Sequence, residues 1–114
     1  MPYTLLGQFQ DLAQEPQVLN GVTYVPLKDV ITALGGTLDW NPEDRVVAAR
    51  LGQWRATTKD GSTEADVSGT HVTFSNPVEI RDGATWVPAD FFKSAFGYEV
   101  SANGTDVSIA NPNG

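Results

Sequence analysis

The sequence predicts an α+β fold, mostly antiparallel β with two short helices, built as an internal pseudo-twofold repeat of hairpin-helix-hairpin. Three observations carry this. The stretch Gly21-Val22-Thr23-Tyr24-Val25-Pro26 returns 62 residues later as Gly83-Ala84-Thr85-Trp86-Val87-Pro88. Each copy leads into a short apolar-periodic run closed by glycine, at Leu34-Gly35 and at Phe96-Gly97. Between the copies the chain carries only β signals. Residues 1–114 read as a single domain, with repeat 1 over 16–49, a β insert over 50–76 and repeat 2 over 77–110.

Taken in order, residues 1–15 admit a strand or one turn of helix around Leu5-Leu6, Phe9 and Leu12. A strand or extended arm over 5–12 is the favoured reading, broken by Glu15-Pro16. Asn20-Gly21 then separates Gln17-Val18-Leu19 from Val22-Thr23-Tyr24-Val25. Asn-Gly between β-formers signals a type I′ turn, whose central residues both need φ > 0. Pro26 is expected to end the pairing and open a helix, its fixed φ suiting the first helical position. Leu27, Val30, Ile31 and Leu34 follow as one stripe of a helix of about nine residues, and Gly35 should supply a left-handed cap. So short a helix must dock on a sheet to persist.

Thr37-Leu38-Asp39-Trp40 alternates as a strand, Asn41-Pro42-Glu43-Asp44 turns, and Arg45-Val46-Val47-Ala48-Ala49 returns. Strands are expected over 54–58, 64–67, 70–74 and 78–80, with turns at Asp60-Gly61, Ser68-Gly69 and Asp82-Gly83. The second helix presents Phe92, Ala95 and Phe96, with Phe91 beside the stripe. Strands over 98–102 and 106–110 close the unit around Asn103-Gly104, and Asn111-Pro112-Asn113-Gly114 is a frayed tail. In this reading Tyr24 and Trp86 are equivalent core aromatics.

Composition narrows the function. The chain has no cysteine, which excludes disulfides, thiolate zinc sites and cysteine nucleophiles. Fourteen Asp/Glu against seven Lys/Arg give a net charge of −7, with the acids scattered. That balance favours solubility and repels polyanions, so no nucleic-acid partner is expected. No apolar run approaches the ~20 residues that span a bilayer, so no transmembrane segment is expected. Met1-Pro2-Tyr3-Thr4-Leu5-Leu6 lacks a basic region and reads as no signal peptide, leaving a cytoplasmic location open.

The repeat also resembles a known family. Asn20-Gly21, Tyr24-Val25-Pro26-Leu27-Lys28, Ala33-Leu34-Gly35 and Leu38-Asp39-Trp40-Asn41 resemble the copper amine oxidase N-terminal-like domain, also called a stalk domain. So do Asp82-Gly83, Trp86-Val87-Pro88 and Phe96-Gly97, and the likeness covers residues 16–110. The resemblance is to a non-catalytic appendage. An oxidase centre needs several histidine ligands and a tyrosine-derived quinone, whereas this chain has the single His71. The resemblance implies a bacterial envelope or secreted setting, and a spacer or adhesive role beside hydrolases or surface-layer modules. The copies differ where Asp90 stands in place of Lys28 and Ala102 in place of Trp40.

No catalytic residue, metal site or cofactor is assigned. There is no Gly-x-Ser-x-Gly elbow, and no glycine-rich phosphate loop followed by Lys-Ser/Thr. His71 should project opposite Val72 and Phe74, toward solvent or a second layer. Residues 60–66 place oxygens at alternate positions, as a calcium loop does, but lack its central glycine and terminal glutamate. The ligand-binding candidates are Trp54, Arg55 and Trp40. A tryptophan beside hydrogen-bonding groups can stack on a sugar or anchor a partner, although a second-layer core role is the favoured reading of both. The leading functional expectation is a non-catalytic structural or interaction module, partnered by a neighbouring domain, an envelope protein or a second copy through its sheet edges. The alternative is a module that binds carbohydrate or cell wall through an exposed tryptophan.

Overall fold

The computed structural model describes residues 3–10, 12, 14–41, 43–81 and 83–110. The elements are β1 (Tyr3–Leu5), β2 (Gln8–Gln10), β3 (Gln17–Leu19), β4 (Val22–Pro26), α1 (Leu27–Ala33), β5 (Thr37–Asn41), β6 (Val46–Leu51) and β7 (Trp54–Lys59). They continue as β8 (Glu64–Val67), β9 (Thr70–Thr73), β10 (Glu79–Arg81), β11 (Ala84–Pro88), α2 (Phe91–Phe96), β12 (Glu99–Asn103) and β13 (Asp106–Ala110). The architecture is α+β, mostly antiparallel strands with two short helices. Three sheets form, in the orders β12-β13-β1-β2, β10-β11-β4-β3 and β5-β6-β7-β8-β9. The expected turn residues Pro42 and Asp82 and the tail Asn111-Pro112-Asn113-Gly114 lie outside the described residues.

The N-terminal segment differs from the expected arm. Leu6-Gly7, at φ 53° and 83°, turns it into the β1-β2 hairpin. Leucine seldom adopts φ > 0, so its side chain gives no turn signal. Strand β1 then pairs parallel to β13, Tyr3 opposite Val107 and Leu5 opposite Ile109, and is the one parallel neighbour among the described strands. At Asn20-Gly21 the φ values of 54° and 79° are those of the expected type I′ turn.

The first helix is also shorter than its pattern. Pro26 stays extended (φ −73°, ψ 115°), pairs as the last residue of β4 and flanks α1 instead of occupying its first turn. Seven residues are helical, Leu34 caps them, and Gly35 follows at φ +94°. The Gly36 N–H then donates to the Ile31 carbonyl at 2.7 Å, turning the chain toward β5.

One hydrophobic cluster draws on all three sheets and both helices. It gathers Tyr3, Leu5, Val107 and Ile109 of the first sheet, Val25 and Val87 of the second, and Val47, Ala49, Ala56 and Val67 of the third. Leu27, Val30 and Ile31 enter it from α1, and Phe91, Phe92 and Ala95 from α2. Phe91, expected beside the helical stripe, is fully buried at its centre, while Phe96 is half-buried. The reason is the turn preceding α2, which aims the first helical side chain inward at Phe74, with ring centroids 5.3 Å apart.

Tyr24 and Trp86 are buried but stand outside that cluster. They alternate with Val25 and Val87 and therefore face the other side of the central sheet. There β4 and β11 pair with Val25 opposite Val87, Tyr24 opposite Pro88 and Trp86 opposite Pro26. The Tyr24 hydroxyl donates to the Pro77 carbonyl at 2.7 Å. Residues 14–17 lie beside Trp86.

Burial leaves the tyrosines hard to ionise. It raises the Tyr3 phenol well above its ordinary value, with Asp29 and Glu15 adding to the effect, and the Tyr3 hydroxyl donates to the Gln14 carbonyl at 2.7 Å. Burial also raises Tyr24, helped by Glu79 and Asp90, and Tyr98. An unfolded tyrosine ionises near pH ~10. The stability these groups contribute is therefore complete below that pH and is lost as the pH climbs toward their folded values. Each tyrosine held neutral contributes a slope of up to about 1.4 kcal/mol per pH unit. Urea midpoints should stay level up to about pH 9 and fall steeply above pH ~10, and Tyr3→Phe should flatten that fall. A midpoint unchanged on the alkaline side contradicts the burial of these phenols.

Candidate functional site

The five-stranded sheet decides where the candidate tryptophans point. Residues paired across strands share a face, and successive residues alternate. Leu38 stands opposite Ala49, Ala49 opposite Ala56, and Ala56 opposite Val67, which marks the core-facing side. Trp40 stands opposite Val47 on that same side, and Trp54 opposite Leu51. Both lie at its rim, Trp40 on an edge strand and Trp54 at the first residue of β7, and they are 42% and 49% exposed. Arg55 alternates with Trp54 and so projects from the outer face, opposite Arg50. The three candidates do not converge. Trp54 and Arg55 point to opposite sides, and Trp40 lies two strands from Trp54.

Trp40 has other company. A cleft of about 430 Å³ opens between β5, the start of α1 and the β10-β11 hairpin. Its apolar walls come from Pro26, Leu38, Ile80 and Ala84. Around them stand Trp40, Lys28, Asp29 and Gln14. The volume lies within the ~300–1,000 Å³ of small-ligand sites. Local structure explains the grouping. Pro26 ends β4 and turns the chain into α1, which sets Lys28 and Asp29 on its first turn. Leu38 and Trp40 reach the same space as alternate residues of edge strand β5, which has β6 on one side only.

Lys28 and Trp40 are among the positions at which the sequence copies differ, and both line the cleft. The matching residue Asp90 has a structural task. Its carboxylate accepts hydrogen bonds from the Ser75 backbone N–H at 3.0 Å and the Ser75 hydroxyl at 2.9 Å. It ties the β9-β10 connection to α2 and makes no capping bond to the helix it precedes. Ala102 presents a methyl group where Trp40 presents an indole. Sequence reasoning had the signal in the disagreement between copies. It could not supply Gln14, Asp29 or Ile80, whose approach depends on packing between sheets.

Several other polar groups already have partners within the fold. Asp60 accepts from Arg45 Nε at 3.1 Å and from the Ile80 backbone N–H at 3.2 Å. The Ser62 hydroxyl donates to the Glu64 carbonyl at 3.0 Å, and the Glu64 carboxylate lies 3.2 Å from His71 Nε2. The side-chain oxygens of Asp60, Ser62 and Glu64 thus go to separate partners. His71 projects to solvent from the outer face. The Asn41 side chain accepts from the Glu43 N–H at 3.1 Å, an ordinary local turn bond. Among the described residues no group of three or more His, Asp or Glu is placed to hold a metal ion. No described helix is long and apolar enough to cross a membrane. A shallower hollow of about 270 Å³ lies over β7 and β8, where His71 and Glu64 already pair with one another.

With this geometry in place, comparison by sequence matches the family described as the copper amine oxidase N-terminal domain over residues 4–110. The chain belongs to that family. No curated protein matches it. The copper amine oxidase N-terminal domain is a non-catalytic part of the enzymes that give it its name. The match runs from β1 to the last residue of β13, so it takes in the N-terminal hairpin that lay outside the resemblance read from the motifs. In this chain the pairing of β1 with β13 joins that hairpin to the same sheet as the last strand.

Proposed function

We propose that this copper amine oxidase N-terminal domain is a non-catalytic, stalk-like structural and protein-interaction module of a bacterial envelope or secreted protein. In this reading residues 1–114 are one domain, and its two hairpin-helix-hairpin units are related by a pseudo-twofold axis passing between Val25 and Val87. The pairing of those equivalent residues, flanked by the equivalent pairs Tyr24-Pro88 and Trp86-Pro26, supports the axis.

The observation that carries the interaction reading is the edge strand β12. Among the described residues it bonds only to β13, and four of its five residues are exposed. Glu99, Ser101 and Asn103 stand opposite Ala110, Ser108 and Asp106, and the two-residue connection makes these the hydrogen-bonded pairs. The backbone groups of Val100 and Ala102 therefore point away from the sheet, free to receive a further strand. The partner is a neighbouring domain, another envelope protein or a second copy of the chain.

Ala102→Pro tests this, because it removes an outward N–H and leaves the β12-β13 bonds in place. Association measured by light scattering, or retention of a partner from envelope extract, should be lost in Ala102→Pro while its unfolding midpoint stays near that of the parent. A strict monomer that also retains no partner overturns the reading.

A further inference from the structure

The Trp40 cleft combines a half-exposed indole, an apolar floor and a rim of opposite charges, and the edge-strand reading uses none of these. We propose that it binds one ring of a neutral glycan. Trp40 is the stacking surface, and Lys28, Asp29 and Gln14 exchange hydrogen bonds with the sugar hydroxyls.

The indole is suited to this by its partial burial. At 42% exposed, Trp40 stands opposite the fully buried Val47 and lines the cleft together with Pro26 and Leu38, which continue the apolar surface. A pyranose ring carries C–H groups on a flat face and hydroxyls around its edge. Such a ligand needs a planar apolar platform with donors and acceptors beyond its perimeter. Lys28 offers donors, Asp29 acceptors, and the Gln14 amide both.

Charge selects among ligands. Lys28 and Asp29 adjoin in the chain and both line the cleft, so the charges that the described residues place there balance. A phosphate or carboxylate would meet Asp29, and an amine would meet Lys28. The net charge of −7 further disfavours an acidic polymer. The other occupant suited to a tryptophan cleft is a proline-rich peptide. Sites for polyproline helices are grooves lined by successive aromatics, and this cleft has Trp40 alone.

The divergence between the sequence copies fits the same assignment. Position 90 holds Ser75 in place and position 102 is alanine, so the matching locus has neither platform nor cation.

The test is titration of the whole chain with N-acetylglucosamine hexamer, cellohexaose and mannohexaose, with a polyproline peptide as the competing class. Binding is followed by calorimetry and by the tryptophan indole N–H resonances. At least one saccharide should bind at millimolar concentration or below and shift the Trp40 resonance while leaving buried Trp86 unmoved. Trp40→Ala should weaken it at least about tenfold, equivalent to ~1.4 kcal/mol, and Trp54→Ala should leave it unchanged. Alanine already stands at the matching position 102, so Trp40→Ala is expected to fold, which its unfolding midpoint checks. If it does not fold, Lys28→Met takes its place, with a several-fold loss expected and an unchanged affinity counting against the proposal. Silence of all three saccharides, equal loss from Trp54→Ala, or saturation by the peptide alone overturns it. None of these outcomes bears on the β12 edge, whose readout is association in Ala102→Pro.

Discussion

Phe91→Ala should remove about 3–5 kcal/mol of stability, the range for emptying a fully buried phenylalanine site. Phe91 has no exposed surface, and its ring meets Phe74, Phe92 and Phe96 edge-on at centroid distances of 5.3, 5.4 and 6.1 Å. Edge-to-face pairs contribute about 0.5–1.5 kcal/mol beyond the area they bury, so the loss should fall at the upper end of that range. Domains of this size are stable by about 5–15 kcal/mol, so the variant stands near the limit of folding. Urea denaturation at neutral pH is the measurement, with Phe91→Leu, which removes fewer buried carbons, as the control, expected to cost clearly less than Phe91→Ala if the ring edges matter little. A Phe91→Leu cost close to that of Phe91→Ala would show that ring geometry dominates. A cost under about 1 kcal/mol for Phe91→Ala would contradict the packing described.

Gly36→Ala should be the most damaging change in the connection between α1 and β5. A Cβ built at Gly36 would lie 2.1 Å from the Arg50 carbonyl oxygen and 3.0 Å from Ile31 Cγ2. The obstacle is backbone, and β6 is held between β5 and β7, so it cannot yield without disturbing two ladders. Overpacking costs about 1–3 kcal/mol where side chains can move, and more where they cannot. Gly35 is the contrasting control. Nothing lies within 4 Å of its hypothetical Cβ, but its φ is +94°, so Gly35→Ala acts through backbone strain alone, at about 1–2 kcal/mol. Gly36→Ala should therefore shift the urea midpoint more than Gly35→Ala. The reverse order would mean that α1 stands further from β6 than described.

These two glycines show what was legible in the sequence. Gly35 ends a periodic stripe and announces a cap, which is local chemistry. Gly36 is needed for an approach to Arg50 fourteen residues on, and no local pattern records it. The same division holds elsewhere. Asn20-Gly21 announced its hairpin because few residues tolerate φ > 0 at both positions. Leu6-Gly7 makes the same kind of turn with a residue that advertises nothing. Trp54 and Arg55 looked like partners because they adjoin in sequence, yet adjacency in a strand places side chains on opposite faces. Lys28 and Trp40, twelve residues apart, share a cleft because the chain turns between helix α1, which carries Lys28, and strand β5, which carries Trp40.

The parallel pairing of β1 with β13 has a mechanical consequence. Chain leading into Tyr3 arrives at one end of this strand pair, and chain continuing from Ala110 departs at the other. A pull transmitted between those points slides the two strands along one another. Their cross-bonds, including the Leu6 N–H to the Ile109 carbonyl at 2.8 Å, then bear load together instead of parting singly like a zipper. The first and last strands thus form a shear clamp, the arrangement that lets a link in a chain carry tension without opening.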